Sequence, residues 1–380
     1  MRGRLVSLSL ALAATIAMLM AVTGAAWADG STTSASSSTT TSTTTSAPAA
    51  SGSAASLPSA VSAATGKPTP VPKPKPSPSP SPTPSPTTAV KAAASLSLSH
   101  AYFVHKNALT LPGRVVEVQG VVKPYVAGQW VQIVATINRK GFKTDKLRIK
   151  PSANGTSGVF TEKISARHAG IVRVVASHAR TAQMLGFQAR RAFAVINTPG
   201  PGAKGPGVDL IQHYLVALHF YLPESGTYDL QTELAVDAYH RLLHRGTGKT
   251  LDRGTLNDLL ALRGAFKVRD PGQGKHVEGD LGNQLLALIN GSKVYRIYPI
   301  SSGKPSTPTI LGHFYVYSRV PGYLPDGMYF SDFFHGGYAI HGYDPAPDYA
   351  ASHGCMRLPI SDALSVWNWL SIGVPVDTYL

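Results

Sequence analysis

The chain has one cysteine in 380 residues, Cys355. A single thiol closes no intramolecular disulfide, so no cystine framework holds this fold, and Cys355 is either an inert side chain or a working thiol. Charge is also sparse, at 14% of residues, and acids are the scarcer sign, with 20 Asp and Glu against 35 Lys and Arg. The basic residues are scattered. There is no basic helix, finger or aromatic RNA platform, which argues against nucleic acid as a partner. A diffuse formal charge of +15 favours weak attraction to anionic surfaces such as cell-wall polyanions or lipid headgroups. Residues 30–93 contain no aromatic residue and few large aliphatics, so they cannot bury a core.

What is present begins with an export pattern. Arg2 and Arg4 precede an apolar run from Leu5 to Val22, and Ala26-Trp27-Ala28 closes it in small-x-small fashion. This predicts a signal peptide over 1–28, cut before Asp29, and an exported protein at the cell wall or membrane. The run is nearly long enough to stay as an uncleaved anchor, which is the alternative. Residues 29–93 are expected to be a disordered Ser/Thr/Pro-rich linker whose Pro-alternating end favours extended polyproline II.

From 94 to 198 the pattern changes to short Val- and Ile-rich runs, such as 114–122, 129–137, 158–164 and 170–177, separated by turn signals. Alternation at this spacing predicts an antiparallel β-sandwich resembling an immunoglobulin-type spacer. Pro199-Gly200-Pro201-Gly202 reads as a hinge. Residues 199–270 then hold three amphipathic stretches, with Val208, Ile211, Leu215 and Leu218 at helical spacing in the first. Asp229 or Thr232 is the expected cap of the second. Val208, Gln212, Gly226, Asp229, Thr232 and Ala235-Val236 resemble the small three-helix peptidoglycan-binding domain, although Tyr239-His240 stands where Phe-Gln is usual. That resemblance implies contact with the cell-wall polymer.

Residues 275–380 read as mainly β. Leu285–Ile289 and Val294–Ile300 flank Asn290-Gly291, a strong hairpin signal. Gly312 to Ser318 is a further expected strand, Ile360–Leu370 a short helix stopped by Gly373, and Val374–Tyr379 a last strand. The expected fold is therefore multidomain: a mainly-β C-terminal domain preceded by a β-sandwich and a small three-helix domain.

Chemistry concentrates around the thiol. A free cysteine has a pKa of about 8.5 and is only slightly ionised at neutral pH. A histidine within hydrogen-bond reach takes the proton, and such pairs lower the thiol to roughly 3.5–7.5. His353 lies two residues before Cys355; in an extended segment both side chains share a face. His341 lies further upstream, where a neighbouring strand end would bring it to the thiol. A thiol attacking an amide also needs oxyanion donors, and Gly354 lets the backbone N–H groups of Gly354 and Cys355 serve. A cysteine near two histidines can also hold zinc, but Asp344 and Asp348 stand at no regular ligand spacing, so neither metal nor cofactor is expected.

Ile340-His341-Gly342, followed by Ser352-His353-Gly354-Cys355-Met356-Arg357-Leu358, closely resembles the catalytic stretch of the L,D-transpeptidases, the YkuD-type domain. The resemblance extends over Asp280–Val294, with Gln284 in an Asp-x-x-x-Gln position. It continues through Ser301–Gly312, though Ile310 and Leu311 replace a common Pro and Thr, and through Asp362–Leu364 and Gly373–Val376. It implies a cysteine acyltransferase acting on peptidoglycan stem peptides. Cys355 would be the nucleophile, His341 the base, Gly354 and Cys355 the oxyanion donors, and Ser352 and His353 site-shaping residues. Arg357, Tyr338 and Gly342 would meet substrate. A thioester at the third residue of a tetrapeptide donor would release D-alanine, and a diamino-acid acceptor would resolve it into a 3→3 crosslink. Carbapenem-type β-lactams would acylate the thiol. An L,D-carboxypeptidase sharing that thioester is the alternative, and a non-catalytic wall-binding scaffold is the reading from a different class. The group orienting His341 is not apparent, because Gly342 and Tyr343 follow it where some relatives have Ser or Thr; a backbone carbonyl can serve. His335 lies outside the pattern, as a wall of the cleft.

Overall fold

The computed structural model describes residues 88–380; the expected signal peptide and nearly all of the expected linker lie outside the described residues. Order begins sooner than expected, since Val90 already bonds backbone to backbone with Gln183 and Leu185, and β1 starts at Ala93.

Two sheets make the first layer pair. One orders β1 (Ala93–Ser99), β4 (Val115–Lys123), β8 (Gly158–Ser165) and β7 (Lys150–Pro151). The other orders β2 (Tyr102–Val104), β3 (Asn107–Thr110), β10 (Phe187–Val195), β9 (Gly170–His178), β5 (Trp130–Ile137) and β6 (Lys140–Arg148). Val116, Val118 and Val122 of β4 face Ile133 of β5 and Val172 and Val174 of β9 in one core, as period-two alternation requires. The pairs are antiparallel except β3 with β10, which runs parallel. Strand spacing alone cannot foresee that pair, because β3 and β10 lie at opposite ends of the module's sequence.

Three helices follow: α1 (Pro206–Ala217), α2 (Leu230–Leu242) and α3 (Arg253–Leu260). Asp229 caps α2 by accepting from Thr232 N at 3.0 Å, and Asp252 caps α3 in the same way from Thr255 N at 2.8 Å. Gln212 is fully buried. Its amide donates to Thr227 O and Thr232 Oγ1, both at 2.9 Å, and its carbonyl oxygen accepts from Gly226 N at 2.8 Å. The motif residues of this module thus clamp the α1–α2 loop.

The C-terminal domain stacks two sheets. The larger orders β13 (Lys293–Pro299), β12 (Leu285–Asn290), β11 (Lys275–Asp280), β19 (Pro375–Tyr379) and β14 (Gly312–Tyr315). The smaller orders β15 (Ser318–Tyr323), β16 (Tyr329–His335), β17 (Tyr338–Gly342) and β18 (Met356–Leu358). Helix α4 (Ile360–Trp369) packs on β16 and β17. The strand expected through Ser318 ends at Tyr315, because the chain changes sheets there. Val316 N bonds Val374 O and Tyr317 N bonds Phe333 O, each at 2.9 Å.

The helices are wedged in place and do not hang on a free hinge. Leu109 of the sandwich, Leu215 and Tyr239 of the helices, and Leu285, Ile289 and Ile297 of the C-terminal domain share one apolar core. Beside it, Arg241 pairs with Asp237 at 2.7 Å and donates to Gln284 O at 2.8 Å, with both charged side chains under a tenth exposed. Truncating it strands a buried carboxylate and a carbonyl. Arg241→Ala is therefore expected to lower stability by about 3–5 kcal/mol in urea unfolding. A loss below about 1 kcal/mol would show that this buried pair and its bond to Gln284 O are dispensable.

Candidate active site

The site starts from a parallel strand pairing. Ile340 lies opposite Met356, His341 opposite Arg357, and Gly342 opposite Leu358. Ile340 and Met356 point into the core between the two sheets. Alternation then turns His341, Arg357 and Cys355, the residue before β18, to the other face together. The sequence-predicted thiol and base are thus brought onto one surface.

His341 is buried, and its Nδ1 lies 2.9 Å from Gly342 O. A carbonyl only accepts, so Nδ1 carries the proton and Nε2 keeps its lone pair. The orienting group is the carbonyl of the next residue. Burial pushes the imidazole below its usual range, and the Arg357 charge adds to that shift. A neutral imidazole at neutral pH follows. Gly342, expected at the substrate, is instead buried under α4: a Cβ there would stand 2.8 Å from Ala363 Cβ.

The Cys355 loop is held from several directions. Ser352 Oγ donates to Cys355 O at 2.6 Å and accepts from Gly354 N at 3.0 Å. Ser352 N donates to Ser302 O at 2.9 Å, and Ser302 N in turn bonds Gln284 Oε1 at 2.7 Å. Gln284 and the Ser302 loop therefore act as a second layer that sets the thiol's position. Gly354 has φ +118, and a Cβ on it would come 2.2 Å from the Tyr338 ring. This position requires glycine.

Two expectations change here. The segment bends at Gly354 and is not extended, and His353 is exposed and meets Lys304 Nζ at 3.3 Å. The Gly354 N–H, expected as an oxyanion donor, is taken by Ser352, which leaves that of Cys355. Sequence reasoning also missed three groups. Gly337 O accepts from the thiol at 3.6 Å, and the Ala339 backbone N–H faces it. Tyr343 stacks edge-on to His341 and lies 4.0 Å beneath the Arg357 guanidinium. The first two are backbone groups with no sequence signal. Tyr338 lines a cavity of about 520 Å³ with Ser302, Gly303, Thr309 and Ile310. His335 is exposed and packs against Phe314 and Tyr338.

Burial pushes the Cys355 thiol above its ordinary value, against the smaller pull of Ala339 N–H and the Arg357 charge. The resting pair is a neutral thiol and a neutral imidazole, not the low-pKa ion pair that the sequence suggested. Because the folded pKa is raised, the thiolate fraction at pH 7 is smaller than in free cysteine. Iodoacetamide alkylation, followed by intact mass, is expected to accelerate with a midpoint above about 8.5. A midpoint below about 7.5 would mean a preformed thiolate–imidazolium pair.

Residues 274–377 match the family model for the YkuD L,D-transpeptidase catalytic domain. YkuD of Bacillus subtilis (strain 168), an L,D-transpeptidase by name, is 35% identical over 105 residues, which are 27% of this chain and 63% of that protein. The chain thus spans less than two thirds of that relative's length. Among solved structures, an L,D-transpeptidase from Xylanimonas cellulosilytica is 30% identical, covering 49% of this chain and 98% of that one, with a TM-score of 0.46. The catalytic domain of the E. faecium L,D-transpeptidase is 29% identical over 28% of this chain and 98% of that one, with a TM-score of 0.25. The C-terminal domain of this chain is a YkuD-type L,D-transpeptidase catalytic domain.

Proposed function

We propose that the protein is an exported L,D-transpeptidase that forms 3→3 crosslinks between peptidoglycan stem peptides. The observation that carries this reading is the shared face of Cys355 and His341, with His341 Nδ1 anchored so that Nε2 is the free base. In this reaction His341 Nε2 takes the thiol proton as Sγ attacks the carbonyl of the third stem residue. The Cys355 N–H stabilises the oxyanion, which is the main electrostatic demand of acyl transfer. The C–N bond to the terminal D-alanine breaks, His341 returns the proton to its nitrogen, and a thioester remains. The side-chain amine of a second stem then attacks that thioester, and the thiol is restored. Arg357 orients a substrate carboxylate. The helical module and the basic balance of the chain hold the enzyme at an immobile anionic wall, which raises local substrate concentration.

The E. faecium catalytic domain has been solved acylated by ertapenem. Wild type here is expected to gain the mass of one carbapenem, and Cys355→Ala to gain none. With disaccharide-tetrapeptide, the expected products by mass spectrometry are D-alanine and a crosslinked dimer. His341→Gln is expected to slow turnover about 10²–10⁴-fold. Tripeptide without dimer would make the protein an L,D-carboxypeptidase. A wild-type thiol that no carbapenem modifies, with no turnover of tetrapeptide, would leave only wall binding.

A further inference from the structure

We propose that Asp270, His313 and Asp377 form a site for a divalent transition-metal cation of the zinc class, on the sheet face turned away from Cys355. His313 on β14 and Asp377 on β19 are cross-strand partners, and Asp377 also lies opposite Glu278 on β11. The neighbouring Val376 points into the core that holds Ile340 and Met356, so Asp377 projects from the opposite face. Asp270 reaches the same place from the loop before β11. One ligand atom from each of the three residues lies within 4.8 Å of the others.

The second observation is an orphaned oxygen. Asp377 is 2% exposed, its Oδ1 meets His313 Nδ1 at 2.5 Å, and its Oδ2 has no hydrogen-bond partner among the described residues. Leaving a buried carboxylate oxygen unsatisfied is costly. The surrounding groups do not answer it. Glu278, the adjacent buried carboxylate, is already engaged: its Oε1 accepts from the Arg269 and Asp270 backbone N–H groups and faces His276 Nε2, and its Oε2 accepts from Tyr379. The Arg269 guanidinium stacks 3.5 Å over Tyr379 and donates to Leu380 O. Two buried carboxylates therefore stand side by side, and among the described residues the cationic group that meets Asp377 is an imidazole, itself a good metal ligand.

The donor set selects the ion. Two carboxylate oxygens and one imidazole nitrogen suit zinc or its neighbours, with water in a fourth position, whereas calcium and magnesium prefer oxygen alone. Asp377 and His313 line a surface cavity with Gln273, which leaves room for that water. Ligand atoms on a tetrahedral zinc sit about 3.3 Å apart. The exposed His313 and half-buried Asp270 side chains would close that distance around the fixed Asp377. A bound ion would tie edge strand β14 and the 270–274 loop to the C-terminal strand.

The test uses the full chain after EDTA treatment, titrated with zinc chloride alone, with melting followed by fluorescence. Saturating zinc is expected to raise Tm by about 5 °C, and calcium is not. His313→Gln changes a side chain that is 69% exposed, so it should fold normally, and it is expected to weaken zinc binding at least about tenfold. Asp377→Asn should do the same. Cys355→Ala should keep the full shift, which separates this site from the thiol. No zinc-dependent shift in wild type would overturn the proposal and leave a His313–Asp377 ion pair only. An equal shift in His313→Gln, or loss of the shift in Cys355→Ala, would place the ion elsewhere and overturn it as well.

Discussion

The parallel pairing of β17 with β18 is the constraint on which the rest of the site depends. Three residue pairs set its register, and a slip of one residue would turn His341 into the core and Ile340 out of it. With the register held, the imidazole and the thiol share a face with no further adjustment. The same strand end supplies the carbonyl that selects the histidine tautomer, and the missing side chain at Gly342 lets α4 pack against it. One short backbone ladder thus sets position, tautomer and burial at once. Burial in turn sets both titrations, lowering the imidazole and raising the thiol.

That arrangement describes a reaction coordinate different from a preformed ion pair. In the proposed reaction the thiol becomes nucleophilic only as its proton moves to the imidazole on the same face, and the positive charge of Arg357 favours the thiolate when it does. The supports lie one layer out: Gln284 holds Ser302, Ser302 holds Ser352, and Ser352 holds the Cys355 carbonyl. The wedge of helices bears on this from behind, since Arg241 reaches the carbonyl of Gln284 itself. The helical module is therefore joined to the position of the thiol through a buried charge as well as through shared apolar surface.

Much of this was legible beforehand where the signal is local. The hairpin at Asn290-Gly291, the periodicity of the three helices and the Asp229 cap all follow from short-range rules. β15 and β16 were not legible, because Tyr329–His335 shows no clean apolar–polar alternation where both its faces are packed. The sheet change at Val316-Tyr317 was hidden for a related reason: two adjacent amides bond to different sheets, which no sequence period records. The roles of His353, Gly342 and the Gly354 N–H were misjudged because each turns on a backbone angle at Gly354 or on the approach of a distant helix.

The sequence by itself determined the chemistry on offer. A lone thiol, the His-Gly pairs at 341–342 and 353–354, and a glycine just before the thiol are readable as letters, because residue identity and short spacing carry them. Tertiary structure alone decided which histidine shares the thiol's face, which carbonyl orients it, and that burial leaves both groups neutral. It also assembled Asp270, His313 and Asp377, which no ligand spacing connects. The physical reason is the same in each case. Hydrogen-bond partners and dielectric surroundings belong to neighbours in space, and those neighbours come from strands and loops far apart along the chain.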